Sequence, residues 1–258
     1  MTAHSMSYVE VPAPPEIRPW IAALWCFRVF PDVGELEHRI PLTGGLIVSV
    51  GSDREPILVG PRSAPLVTPV HGGDVFRGFH VWPGAACSLF HLPPGALRDR
   101  QGPARFWLDP AWCRGLSAVA DLDDDAEALQ RITLCLRELV PQAAPLDAMV
   151  MTAVSNLVRS RGDLRIGDLA EEGALSPRQL RRRFQAAVGL SPKELARIRR
   201  LRASAAAAVL EELSWCEVTA DAGYADQAHL VREFRNLLGV TPGAFEQHAR
   251  RIDHRLID

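Results

Sequence analysis

No purely apolar stretch among the 258 residues runs beyond a handful, so nothing in the chain is expected to span a membrane. The first 20 residues hold His4, Glu10, Glu16 and four prolines and lack an apolar core, so no secretory signal is expected. No C-x-x-C pair occurs, and the five cysteines (Cys26, Cys87, Cys113, Cys135, Cys216) are odd in number. They read as reduced thiols in a cytoplasmic protein. G-x-S-x-G, H-E-x-x-H, P-loop and dinucleotide fingerprints are all missing, which removes several common enzyme classes. A strong charge of either sign is missing too, since a net of −2 names no partner. What is present, 47% hydrophobic and 23% charged residues, describes a folded globular protein with a sizeable core.

Proline is nearly missing from the second half. Of 20 prolines, 17 fall within residues 1–149, and only Pro177, Pro192 and Pro242 follow. Aromatic residues divide 12 to 5 between the same segments, and formal charge divides into −5 and +3. Proline is excluded from helix interiors but tolerated in turns and at strand ends, so the first half reads as β-rich and the second as helical. Pro141 and Pro145 mark the boundary, giving a domain over 1–142 and another over 147–258. In the first, candidate strands cover 21–30, 45–50, 57–59, 75–82 and 86–92, punctuated by Gly44-Gly45 and Gly72-Gly73. Candidate helices cover 95–100, 110–119 and 123–140. The fold class is α+β: an antiparallel sheet, cupin-like or a small barrel, with helices, followed by an all-α domain.

The all-α half repeats itself with an offset of 50. Leu180 matches Leu230, Phe184 matches Phe234, Gly189 matches Gly239, and Ser191-Pro192 matches Thr241-Pro242. Two copies make a duplicated supersecondary unit, not a solenoid. Each reads as helix, tight turn, helix. In the first copy the opening helix is 166–173, the turn Ala174-Leu175, and Ser176-Pro-Arg-Gln a capping box with proline at the first helical position. Leu180, Phe184 and Val188 share one face, and Gly189 ends the helix. The second copy has Gly223 in the turn, Asp226 as cap, and Leu230 and Phe234 inward. Such a helix-turn-helix presents its second helix to the DNA major groove. Nine basic residues and one acid lie between Ser176 and Arg202, whereas residues 203–258 carry five Arg and nine acids. A solvated basic face is the bland alternative, but this run sits on the outer face of a reading helix, where arginine suits guanine and phosphate.

These residues, with Leu169-Ala170, Arg182, Arg200, Gly223-Tyr224 and Arg232, make residues 147–248 resemble the DNA-binding domain of the AraC/XylS family of bacterial transcription regulators. The resemblance implies two helix-turn-helix units joined by a long helix, here 192–213. It implies double-stranded DNA as partner, with RNA polymerase and a second copy of the chain as further candidates. It places base-facing positions on Arg178, Arg181 and Arg182 in the first reading helix, and on Gln227, Ala228, Val231 and Arg232 in the second. Two residues depart from the pattern: Ala174 replaces a turn glycine, and Thr219 stands where alanine is usual, so its hydroxyl needs an acceptor. Asp226 and Glu233 are expected to repel phosphate from the second unit.

Residues 8–140 resemble, more weakly, the β-rich N-terminal domain of some of these regulators, chiefly through 78–84 and 92–98. That implies a small organic effector in a pocket lined by aromatics, with Trp25, Phe27, His38, Phe79, His80 and Trp82 as candidates; a packed sheet interior is the alternative for each. The competing reading is a DNA-tethered enzyme, or a metal- or redox-dependent sensor using Cys26 or Cys87. His80, Cys87 and His91 are spaced too unevenly to share one strand face, so no metal, cofactor or catalytic residue is assigned.

Overall fold

The computed structural model describes residues 4–256, apart from 165–166, 168 and 170–175, and for 255–256 the backbone only. A seven-stranded sheet organises the first half. Its strands are β1 (Met6–Pro12), β2 (Ile21–Val29), β4 (Ile47–Val50), β5 (Pro56–Val59), β7 (Val75–Val81), β8 (Gln101–Pro103) and β9 (Ile252–Leu256), in the order β8-β5-β4-β7-β2-β1-β9. β3 (Leu36–Ile40) and β6 (Leu66–Val70) form a separate antiparallel pair. The described strands close no barrel. Every pairing is antiparallel except β9 on β1, and β9 comes from the far end of the chain.

Strand alternation gives the sheet two different faces. Leu24, Val48, Leu58, Phe79 and Val81 point to one, where α1 (Ala86–Phe90), α2 (Pro110–Ser117) and α3 (Asp125–Arg137) cover them. α3 turns Ala128, Leu129, Ile132 and Leu136 onto this core, at the spacing of one helix face. Trp25, Phe27, Ile47 and Val59 point to the other face and meet Leu66, Val70 and Ile252. The segment 86–92, expected as a strand, is largely the helix α1. A short apolar run carries no period of its own, and Gly84 at φ +89 turns the chain off β7 just before it. β1, β3, β6, β8 and β9 lie outside the expected strands.

The second half is helical: α4 (Ala148–Arg159), α5 (Pro177–Val188), α6 (Pro192–Val209), α7 (Trp215–Asp221), α8 (Gln227–Leu238) and α9 (Pro242–Ala249). The expected helix over 166–173 and the Ala174 turn fall largely outside the described residues. Ser176, Ser191 and Ser214 each complete a capping box, with Gln179, Glu194 and Glu217, and Asp147, Asp226 and Thr241 cap the remaining three helices. One core joins Leu180, Phe184, Ile198, Leu201, Leu230 and Phe234, so both units share the central helix α6.

The halves are not independent. Leu42 sits in the helical core, and Arg98 reaches Glu194 at 2.5 Å. Gly189, at φ +82, ends α5 against the 94–97 turn; a Cβ there would lie 2.9 Å from the Pro94 carbonyl oxygen. The tail strand β9 crosses the expected boundary outright, placing residues 252–256 in the N-terminal sheet.

Candidate functional site

Two constellations emerge, one on the helical surface and one between the halves. On α5, burial of Leu180, Phe184 and Val188 leaves Arg178, Arg181 and Arg182 exposed on the opposite face. Among the described residues none of the three has an acid within 4 Å, in contrast to Arg183, which donates to Asp147 at 2.6 Å. On α8, Gln227, Ala228 and Arg232 are exposed and Val231 is half-buried; Arg232 approaches the cap Asp226 at 4.0 Å.

Glu233 does not behave as the sequence suggested. It is largely buried and accepts two hydrogen bonds from Arg197 of α6, at 2.7 and 2.9 Å. The pair pins α8 to the central helix, so Glu233 is not a free surface charge. Much of the basic run over 176–202 is spent in the same way. Arg197 holds Glu233, Arg200 lies over the Tyr224 ring at 5.8 Å, and Arg199 and Arg202 turn toward the N-terminal half. Thr219 finds its acceptor in the Trp215 carbonyl, at 2.6 Å.

The second constellation is a cavity of about 410 Å³ between the aromatic face of the sheet and α6. Trp25, Phe27, His38 and His80 of the expected effector set line it. Phe79 and Trp82 do not. Phe79 is fully buried on the opposite face beside Phe90 and Trp112, and Trp82 packs there with its indole N–H on the Arg18 carbonyl. The alternation of β7 carries the reason: His80 and Phe76 share one face, while Phe79 and Val81 share the other. Sequence reasoning missed Tyr8, Glu10, Arg202, Ala205, Ala206 and Val209, which also line the cavity. The signal for the last four was present, because offsets of 3, 4 and 7 from Arg202 describe one helix face.

One end of the cavity is polar. Tyr8 Oη donates to Glu10 Oε2 at 2.5 Å and lies 3.3 Å from His80 Nε2. With the phenolic proton on Glu10, Tyr8 accepts from His80 Nε2–H, leaving Nδ1 bare. Burial, with Arg202 adding to it, pushes His80 down to about 3, so its ring is neutral. Burial, reinforced by Glu10, raises Tyr8 well above its ordinary value. Across the same seam, His38 Nδ1 faces His248 Nε2 at 3.4 Å and stacks on Phe27 with centroids 4.3 Å apart. Burial, with His248 adding to it, takes His38 down to about 3.

The thiols offer little to a redox reading. Cys26 is buried, and burial together with its hydrogen bond to Asp125 pushes it up to about 12, far from a reactive thiolate. Cys87 is exposed on α1. Among the described residues no group of three or more His, Cys, Asp or Glu is arranged to hold a metal ion, and no helix is long and apolar enough to cross a membrane.

Comparison with known proteins gives one family match: the model of a helix-turn-helix domain covers residues 169–248. Among curated proteins nothing matches. Solved structures with similarity include the C-terminal domain of AraT, a response regulator from Geobacillus stearothermophilus. It is 25% identical, with 45% of this chain and 92% of that one covered and a TM-score of 0.38. ToxT from Vibrio cholerae is 12% identical over 97% of this chain and 98% of that chain, with a TM-score of 0.45. ToxT with an unsaturated fatty acid bound is 12% identical over 95% of each chain, with a TM-score of 0.43.

Proposed function

With the C-terminal region a helix-turn-helix domain of the AraC type, we propose that the chain is a sequence-specific DNA-binding transcription regulator controlled by a small organic molecule in the interdomain cavity. One observation carries the DNA reading. Arg178, Arg181 and Arg182 stand exposed and free of described acids on the second helix of the first unit, while neighbouring arginines are tied down. Arginines so placed reach guanine edges and phosphates together. Gln227, Ala228, Val231 and Arg232 supply the second reading surface. The central helix α6, 18 residues and about 27 Å long, spaces the two units on the scale of one turn of DNA.

The effector reading rests on the cavity. Its walls are mostly apolar with a few convergent polar groups, and its volume lies in the range of small-molecule sites. Because α6 both roofs the cavity and carries the two units, an occupant that favours one seating of the helix shifts the reading helices with it. The chain acts by binding, without turnover. Mobility shifts of the full chain on DNA from its own upstream region, alone and with a metabolite panel, provide the test. We expect a sequence-dependent shift that Arg178/Arg181→Ala abolishes at physiological salt. A shift indifferent to sequence, or product formed from any bound molecule, would overturn the reading.

A further inference from the structure

The two reading helices end alike, and both ends rest on the N-terminal half. Gly189 and Gly239, equivalent positions of the 50-residue repeat, terminate α5 and α8 at φ +82 and +74. A Cβ on Gly189 would lie 2.9 Å from the Pro94 carbonyl oxygen, and one on Gly239 would lie 3.4 Å from Pro65 Cγ. Pro94 and Pro65 belong to two turns, 94–100 and 60–65, that are bonded into one platform. Gly60 N–H donates to the Arg100 carbonyl and Asp99 N–H to the Pro61 carbonyl, each at 2.9 Å. The Asp99 carboxylate accepts from Ser63 N–H and from Ser63 Oγ, each at 2.7 Å. Only glycine allows so close an approach at position 60, where a Cβ would overlap the Leu97 carbonyl oxygen. Arg98, next to Asp99 in the chain, grips Glu194 of α6 with both terminal nitrogens, at 2.5 and 3.3 Å. Glu194 is also the residue that closes the capping box at the start of that helix.

We propose that Arg98 and Asp99 are positioning residues that fix the spacing at which the two reading helices meet DNA. The shared core holds each reading helix by its apolar face, and the platform adds a stop at its carboxyl end, which limits tilt. Arg98 ties the platform to the first unit through Glu194, and Asp99 holds the turn on which the second unit rests. Half-sites one helical turn apart are separated by about 34–36 Å, and one inserted base pair shifts the second by about 3.4 Å and turns it by about 35°. A platform joined by hydrogen bonds of ordinary length cannot follow that turn without breaking some of them. Selectivity for half-site spacing thus resides in residues that read no base, outside the matched domain at 169–248.

This proposal rests on the DNA reading, and its test separates the two. The full chain selects binders from a randomised duplex library. Mobility shifts then measure binding to the selected duplex with no, one or two base pairs inserted between its recognised blocks. The wild type should enrich two blocks at one spacing and lose roughly tenfold in affinity on insertion of a base pair. Arg98→Ala and Asp99→Ala should keep both block sequences, accept several spacings and bind the inserted duplexes nearly as well. Asp99→Asn tolerates the left-handed backbone at φ +55 and keeps an acceptor for Ser63 N–H, so it should restore the single spacing in part. Ser63→Ala removes one bond of the platform without touching that backbone, and should broaden the spacing even where Asp99→Ala fails to fold. One spacing retained in both Arg98→Ala and Ser63→Ala, or several accepted by the wild type, overturns the proposal. Enrichment of a single block, or of none, overturns the two-unit DNA reading itself, and the positioning role falls with it.

Discussion

Arg183 and Arg182 are neighbours in sequence with different work to do. Arg183 donates to Asp147 and so ties α5 to the start of α4, while Arg182 projects into solvent. Arg182→Ala should cost roughly 1–3 kcal/mol at one base position and relax preference there, read by binding to a set of operator variants. Arg183→Ala should leave the salt slope of binding unchanged, whereas a phosphate-contacting arginine removed from the same helix lowers that slope by about one. Two buried histidines act on stability instead. The fold holds His38 and His80 neutral, pushed by burial from 6.5 to about 3, so below 6.5 the unfolded chain binds more protons than the folded one. Their contribution is complete above pH 6.5 and is lost progressively as pH falls toward 3. Urea unfolding at pH 7 and pH 5 should show a marked loss at the lower value, and His80→Gln should shrink that difference. An acid sensitivity unaltered in the variant would place its origin elsewhere.

The two reading elements differ in what surrounds them, and the difference is testable. α5 exposes three arginines with no acid within 4 Å among the described residues; α8 exposes Gln227, Ala228 and an arginine near the acid Asp226, beside the half-buried Val231. Since Arg197, Arg199, Arg200 and Arg202 face other parts of the protein, the salt dependence of binding should come from α5 alone rather than from α5 and the central helix together. Footprinting across a salt series should show Arg178/Arg181→Ala flattening the slope, and Gln227/Arg232→Ala mainly narrowing the footprint to one groove. Equal changes in both variants would sink this asymmetry. These helices were legible in the sequence because their signals are local: a Ser-Pro-x-Gln start, an apolar residue every fourth position, a glycine stop. The sheet was legible only in part. β2 and β7 announce themselves by alternation, but β1 lies beside a proline-rich stretch and gains its meaning from β9, which no local pattern can supply. The cavity was half legible for the same reason. Aromatic positions on strands could be named, whereas the faces of Phe79 and Trp82, and the arrival of Arg202 from the other half, depend on pairing at long range.

At the scale of the molecule, the contacts that hold the helical half to the N-terminal half include Arg98 on Glu194, Gly189 against Pro94, and β9 along β1. Removing residues 252–258 should leave α5 and α8 folded while exposing the β1 edge. Hydrogen exchange should then quicken along β1 and at the Tyr8–Glu10 end of the cavity, with the amides of α5 keeping their protection; uniform acceleration would mean that the strand supports the whole fold. The β9 pairing also imposes an order on synthesis. Ser5 and Arg251, 246 residues apart in the chain, meet through the Ser5 N–H and the Arg251 carbonyl at 2.8 Å. At about 5–20 residues per second, a ribosome needs roughly tens of seconds to deliver the partner that β1 awaits. Throughout that interval the nascent chain carries an open strand edge able to pair with a neighbouring polypeptide on the same message. The DNA-reading helices emerge before the sheet is sealed, so the finished edge records that the whole polypeptide through residue 252 has been made.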